Sequence, residues 1–152
     1  MDGAGFLRAL DRLGTQIERE LEHALDAATS LTKKAAQEST AFQDRSGNLR
    51  KSIDSERVGT WERIVRADTD YANFVENGTR QHGEGPYPIP SDGTDAKILH
   101  FELNGQTFLR RRVMHPGIRP TYFLRDAARN VEPEFRELVR AGIAGAIRWV
   151  GL

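Results

Sequence analysis

Phe6, Leu10, Leu13, Ile17, Leu21, Ala24, Ala28, Leu31 and Ala35 follow one another at steps of three or four residues, with no proline among them. That spacing paints one face of an α-helix and predicts a single amphipathic helix from about Gly5 to Ser39. At about 1.5 Å rise per residue it is roughly 50 Å long, more than a compact body of 152 residues needs. Part of it is therefore expected to pack on a neighbouring subunit or to project. The alanines along its seam argue against a coiled-coil homodimer.

Downstream, Ser46 reads as an N-cap and Gly47 to Asp54 as a short helix or turn presenting Leu49 and Ile53. Arg57-Val58 and Trp61 to Ala67 read as a hairpin turning at Gly59-Thr60. Tyr71 to Glu76 reads as a short helix burying Tyr71, Ala72 and Val75, ended by Asn77-Gly78. From Arg80 to Asp95, Gly, Pro, His and Asp dominate, which predicts a long flexible loop, placed at 80–96. Lys97 to Leu103 and Gln106 to Val113 flank Asn104-Gly105, the strongest short hairpin signal in the chain. Thr121 is a candidate N-cap for a final helix over 121–148, in which Phe123, Leu124, Ala127, Val131, Phe135, Leu138, Val139, Ile143 and Ile147 recur at helical spacing. Pro133 marks a kink or a second start within it. The predicted architecture is α+β: a long N-terminal helix and a C-terminal helix packed on a small antiparallel sheet of two hairpins, in a single domain over 1–152.

Charge is balanced overall, with 22 basic and 22 acidic residues, but it is blocked. Residues 68–95 carry six acids against Arg80, and residues 96–129 carry seven bases against Glu102 and Asp126. Such blocks either pair within one chain or dock head-to-tail on the next subunit of a ring. With no cysteine, disulfides and thiolate metal sites are excluded. No apolar run approaches the roughly 20 residues that span a bilayer, and no secretory signal precedes the first helix, so a soluble cytosolic product is expected.

Few residues offer chemistry. His23, His82, His100 and His115 form no metal-binding pair, and no nucleophile elbow, phosphate loop or dinucleotide fingerprint is present. Asp68 and Asp70 are read as capping the helix that follows them. The reading is of a non-enzyme without cofactor or metal. Arg110, Arg111 and Arg112, with Arg119 and Arg125 nearby, are the best nucleic-acid candidates. Neutral net charge and the lack of a reading helix leave a small DNA-binding accessory protein as the alternative. A hydrolase using the histidines and loop acids ranks third.

Three segments are the most informative: Ser46-Gly47-Asn48-Leu49-Arg50-Lys51-Ser52-Ile53, Tyr71-Ala72-Asn73-Phe74-Val75-Glu76-Asn77-Gly78-Thr79, and Pro120-Thr121-Tyr122-Phe123-Leu124 followed by Ala127-Ala128. In this order they resemble the small tail-completion (neck, head–tail joining) proteins of long-tailed bacteriophages, over about residues 45 to 130. The hairpin Lys97 to Met114 is a departure from the shorter members. The resemblance implies a structural virion protein, assembled in the bacterial host cytoplasm and placed at the head–tail junction. It would form a ring of six copies, or twelve, between head-closure or connector proteins and tail terminator or tail-tube proteins, with incidental contact to packaged DNA and none to membrane. The residues expected at subunit or partner interfaces are Leu49, Arg50, Tyr71, Phe74, Glu76, Arg110, Arg111, Arg112, Arg119, Tyr122 and Phe123, and Glu76 is expected to pair with an arginine such as Arg50.

Overall fold

A computed structural model describes residues 3–79, 87–90, 98–103, 105–110, 112–115 and 117–151. It is α+β, as the sequence predicts, and its contacts divide into two compact units.

The first unit comprises residues 1–72 and 122–152. Its spine is α1 (Gly3–Glu38), whose 36 residues at about 1.5 Å rise span roughly 54 Å. α1 packs mainly on α4 (Phe123–Val150), and small residues set the closeness of that contact. Ala9, Ala24, Ala28 and Ala36 are the buried positions of α1, and Ala127 and Ala146 are among those of α4. At Gly142 a Cβ atom would come within 2.9 Å of Glu20 Cβ, so only glycine lets the helices approach there. The pairing of Glu20 with Gly142, and of Ala28 with Val131 around a shared groove, makes the two helices antiparallel. Toward the N-terminus Ala9 is still buried, while Phe6, Leu7 and Leu10 around it remain exposed. α4 runs unbroken through Pro133, which neither ends the helix nor starts a second one.

Also in this unit are α2 (Asn48–Ser52) and the antiparallel pair β1 (Ile53–Arg57) and β2 (Arg63–Ala67), in register Ile53↔Ala67 to Arg57↔Arg63. The strand begins earlier than the sequence suggested. Ile53, β-branched and buried, leaves the helix and opens β1. The hairpin closes through 58–62, where the N–H groups of Val58 and Gly59 both donate to the Glu62 carbonyl. Three ion pairs tie it to α1: Lys33–Asp54 at 2.7 Å, Arg57–Glu22 at 3.2 Å and Arg63–Asp26 at 2.5 Å.

The second unit comprises residues 73–121. It holds most of α3 (Ala72–Asn77) and two separate two-stranded antiparallel sheets. β4 (Leu99–Leu103) and β5 (Gln106–Arg110) form the hairpin expected at 104–105, with Gly105 at φ 75°. Phe101 stacks on Phe108 across it at 5.6 Å. β3 (Tyr87–Pro90) pairs with β6 (Arg112–His115). β3 lies in the stretch read as a loop, so 87–90 is strand; the rest of 80–96 lies outside the described residues. No described helix is long and apolar enough to cross a membrane.

Candidate assembly surfaces

The first motif is an internal brace. Gly47, at φ 74°, holds the N-cap position of α2, and the Asp44 carboxylate supplies the capping instead of Ser46: it accepts from Gly47 N at 2.9 Å and Arg50 N at 2.8 Å. The Ser46 hydroxyl accepts only from Asn48 N, at 3.2 Å. The Arg50 guanidinium donates to three carbonyls at the end of α1 and beyond it: Gln37, Ser39 at 2.7 Å and Phe42 at 3.3 Å. Its carbon also lies 4.5 Å from the Phe42 ring centroid, and Phe42 packs on Phe123 at 4.7 Å. Arg50 thus satisfies the orphan acceptors of a helix C-terminus. Leu49 and Phe123, expected at an interface, are each 1% exposed and belong to the core. Large apolar side chains at a chain crossing are best buried at once, in the monomer.

The second and third motifs form one clamp. Thr79 N donates to Ile118 O at 3.0 Å, and Ile118 N donates to the Thr79 hydroxyl at 2.8 Å. Val75 O accepts from both Thr121 N (3.0 Å) and the Thr121 hydroxyl (2.8 Å). Between them sits Gly78 at φ 74°, where a Cβ would lie 2.6 Å from Ile118 O and 2.8 Å from Pro120 N. Thr121 is therefore committed to this clamp and does not cap α4. The cap position is Tyr122, held at φ 51° with no side-chain cap. Its ring is covered by the Arg125 guanidinium at 3.4 Å, and Arg125 also lies 3.7 Å from Asp126.

Tyr71 and Phe74 do face outward; Phe74 is 49% exposed, and Tyr71 is exposed rather than buried with Ala72. Arg119 is exposed, and Glu76 is half-buried. Arg110 ends β5, paired with Leu99, whereas Arg112 opens β6, paired with Pro90 in the other sheet. Arg111 lies outside the described residues, as do His82 and the acids of the loop. Arg110 lays its guanidinium 5.6 Å from the Phe108 ring. His100 and His115 fall in different sheets. Among the described residues no group of three or more His, Asp and Glu is placed to hold a metal ion.

One surface escaped the sequence reading. α1, β2 and α4 enclose a groove of about 370 Å³ walled by Leu25, Ala28, Val65, Leu124, Ala128 and Phe135. Arg63 lines it too, its side chain only 4% exposed. The signal was a basic residue inside a strand whose neighbours alternate, which sequence alone reads as a solvated face.

Residues 4–78 match the model of the HK97-gp10-like family, described as "Bacteriophage HK97-gp10, putative tail-component". The likeness to phage tail proteins is borne out for this stretch, which takes in α1, the first motif and the second as far as Gly78. No curated protein and no solved structure matches the chain.

Proposed function

From residues 4–78 being those of a phage tail-component family, we propose that the chain is a structural, non-enzymatic virion protein of the phage neck, forming a ring that completes the tail and joins it to the DNA-filled head. The family match is the observation that carries this reading. One feature of the fold supports it: the N-terminal end of α1 leaves Phe6, Leu7 and Leu10 exposed. An exposed apolar end rimmed by polar residues marks a protein contact. In a ring of six subunits, each weak contact is repeated and becomes cooperative. Tyr71 and Phe74, and Arg119 just before the third motif, are the exposed residues offered to head-closure, connector or tail-tube neighbours. A ring of this kind sits around the channel, where Arg110 meets packaged DNA only incidentally.

The test is genetic and morphological. Phage lacking the gene should accumulate filled heads and separate tails in electron micrographs, and supplying the protein in trans should restore joined particles. Normal numbers of joined, infectious particles without the protein would refute the proposal.

A further inference from the structure

We propose that the free chain pairs with a second copy of itself through the first four turns of α1, packed antiparallel about a two-fold axis between Leu7 and Leu10. The inference concerns the chain before assembly and does not rest on the ring reading.

Gly3, Leu7, Leu10 and Gly14 follow one another at steps of four, three and four residues, so they share one side of α1. Leu7 is 67% exposed, and Phe6 and Leu10 beside it are 46% and 42% exposed. The ion pairs that hold β1 and β2 to α1 fall further along, at Glu22, Asp26 and Lys33. A helix side turned to water normally carries charge. These four positions carry none, and Arg8 and Arg12 turn to the far side.

Glycine inside a helix is less stable than alanine, so Gly14 needs a reason. At Gly142 the reason lies within the chain, because a Cβ would come within 2.9 Å of Glu20 Cβ. At Gly14 nothing among the described residues lies within 4 Å of a built Cβ. A helix of another molecule, approaching closely, supplies the reason that the chain itself does not.

The order of the four residues says which molecule. Glycine, leucine, leucine and glycine at these steps read the same in both directions. An antiparallel copy therefore sets Leu7 against Leu10 and Gly3 against Gly14, each twice. In that register Arg8, Asp11 and Arg12 fall level with Ala9, Phe6 and Gly5 of the second copy, so no like charges are opposed. The contact is isologous and closes at two copies. Ala24, Ala28 and Ala36, the buried alanines that disfavour a full-length coiled coil, lie beyond this segment.

Counting about 200 Å² for a fully exposed large apolar residue, Phe6, Leu7 and Leu10 bring about 300 Å² of apolar surface per copy. Interfaces are a little over half apolar, so the pair buries about 1,000 Å² in all, the lower bound for a specific contact. The dimer is therefore weak and reversible, and a ring neighbour that meets the same side chains displaces the second copy.

In sedimentation velocity the full-length purified protein should pass from monomer to dimer as its concentration rises through the micromolar range, and no further. Leu7→Glu, at an exposed position, should stay monomeric while circular dichroism shows its helices kept. Because the chain has no cysteine, introduced thiols report the register. Under mild oxidation, mixed Leu7→Cys and Leu10→Cys chains should form the disulfide-linked pair at least about tenfold faster than mixed Arg8→Cys and Arg12→Cys chains. A wild type that stays monomeric overturns the pairing, and so does a dimer that Leu7→Glu leaves intact. Species beyond the dimer that Leu7→Glu abolishes reveal a ring contact on this side and overturn the two-fold pairing. Equal cross-linking rates for the two mixtures overturn it as well. The head–tail reading is judged apart from all of these, by whether phage lacking the gene still makes joined particles.

Discussion

Replacing Gly78 by alanine isolates the contact that joins the second motif to the third. Two costs combine there. An alanine at φ 74° adopts the left-handed conformation at about 1–2 kcal/mol. Its Cβ would also sit 2.6 Å from Ile118 O and 2.8 Å from Pro120 N, both backbone atoms that cannot swing aside. Relief requires the 117–121 segment to move, which breaks the Thr79–Ile118 and Thr121–Val75 backbone bonds, at about 1 kcal/mol each. The total is about 3 kcal/mol, or roughly a hundredfold in an equilibrium constant. Gly105 provides the control: it has φ 75° but nothing within 4 Å of a built Cβ, so Gly105→Ala pays the conformational cost alone. Amide hydrogen exchange reads both variants. The Thr79 and Thr121 amides should exchange roughly a hundredfold faster in Gly78→Ala. In Gly105→Ala only the β4–β5 amides should accelerate, by about tenfold. Acceleration at Thr79 and Thr121 of no more than about tenfold in Gly78→Ala would show that the close approach costs nothing, and the clamp argument would fail.

Arg50→Ala removes the donors of three carbonyls and uncovers the Phe42 ring, and should cost about 2–3 kcal/mol in urea unfolding followed by the fluorescence of Trp61 and Trp149; Arg50→Lys should recover little of it, because one ammonium cannot reproduce the planar fork. Acid should weaken the first unit in a defined direction. Folding lowers the Asp26 carboxyl, chiefly through its hydrogen bond from Arg63, and the Asp54 carboxyl, chiefly through that from Lys33. Such groups bind fewer protons in the folded chain, so their stabilisation is present above the unfolded carboxylate value of about 3.9 and is lost as pH falls through the lower folded values. A chain carrying Asp26→Asn and Asp54→Asn should therefore show a shallower loss of stability below about pH 4 than the wild type; identical acid profiles would refute the assignment.

The parts of this fold that depend on neighbours in sequence are legible in the sequence itself. A stripe at three-and-four spacing predicts α1 within two residues at its start and one at its end. Asn104-Gly105 predicts the β4–β5 turn, and the recurrence from Phe123 to Ile147 predicts α4. These are local free-energy preferences, and a few residues state them. What tertiary structure alone decided is where each polar and apolar group spends its valence. Leu49 and Phe123 look the same on paper as Phe74, yet the first two fill the core and the third faces water. Ser46 and Thr121 were sound capping residues by type. Asp44 outcompeted Ser46 with a charged carboxylate, and Thr121 was claimed by the Val75 carbonyl 46 residues away. Pro133 could be placed inside α4 only once a helix of 28 residues, packed along α1, was there to hold it. The orphan Nη2 of Arg63 is the furthest from sequence, because it exists only where β2, α1 and α4 shut water out and no acceptor comes with them. Hydrogen bonding and burial depend on distances between remote segments, and spacing along a chain does not carry those distances.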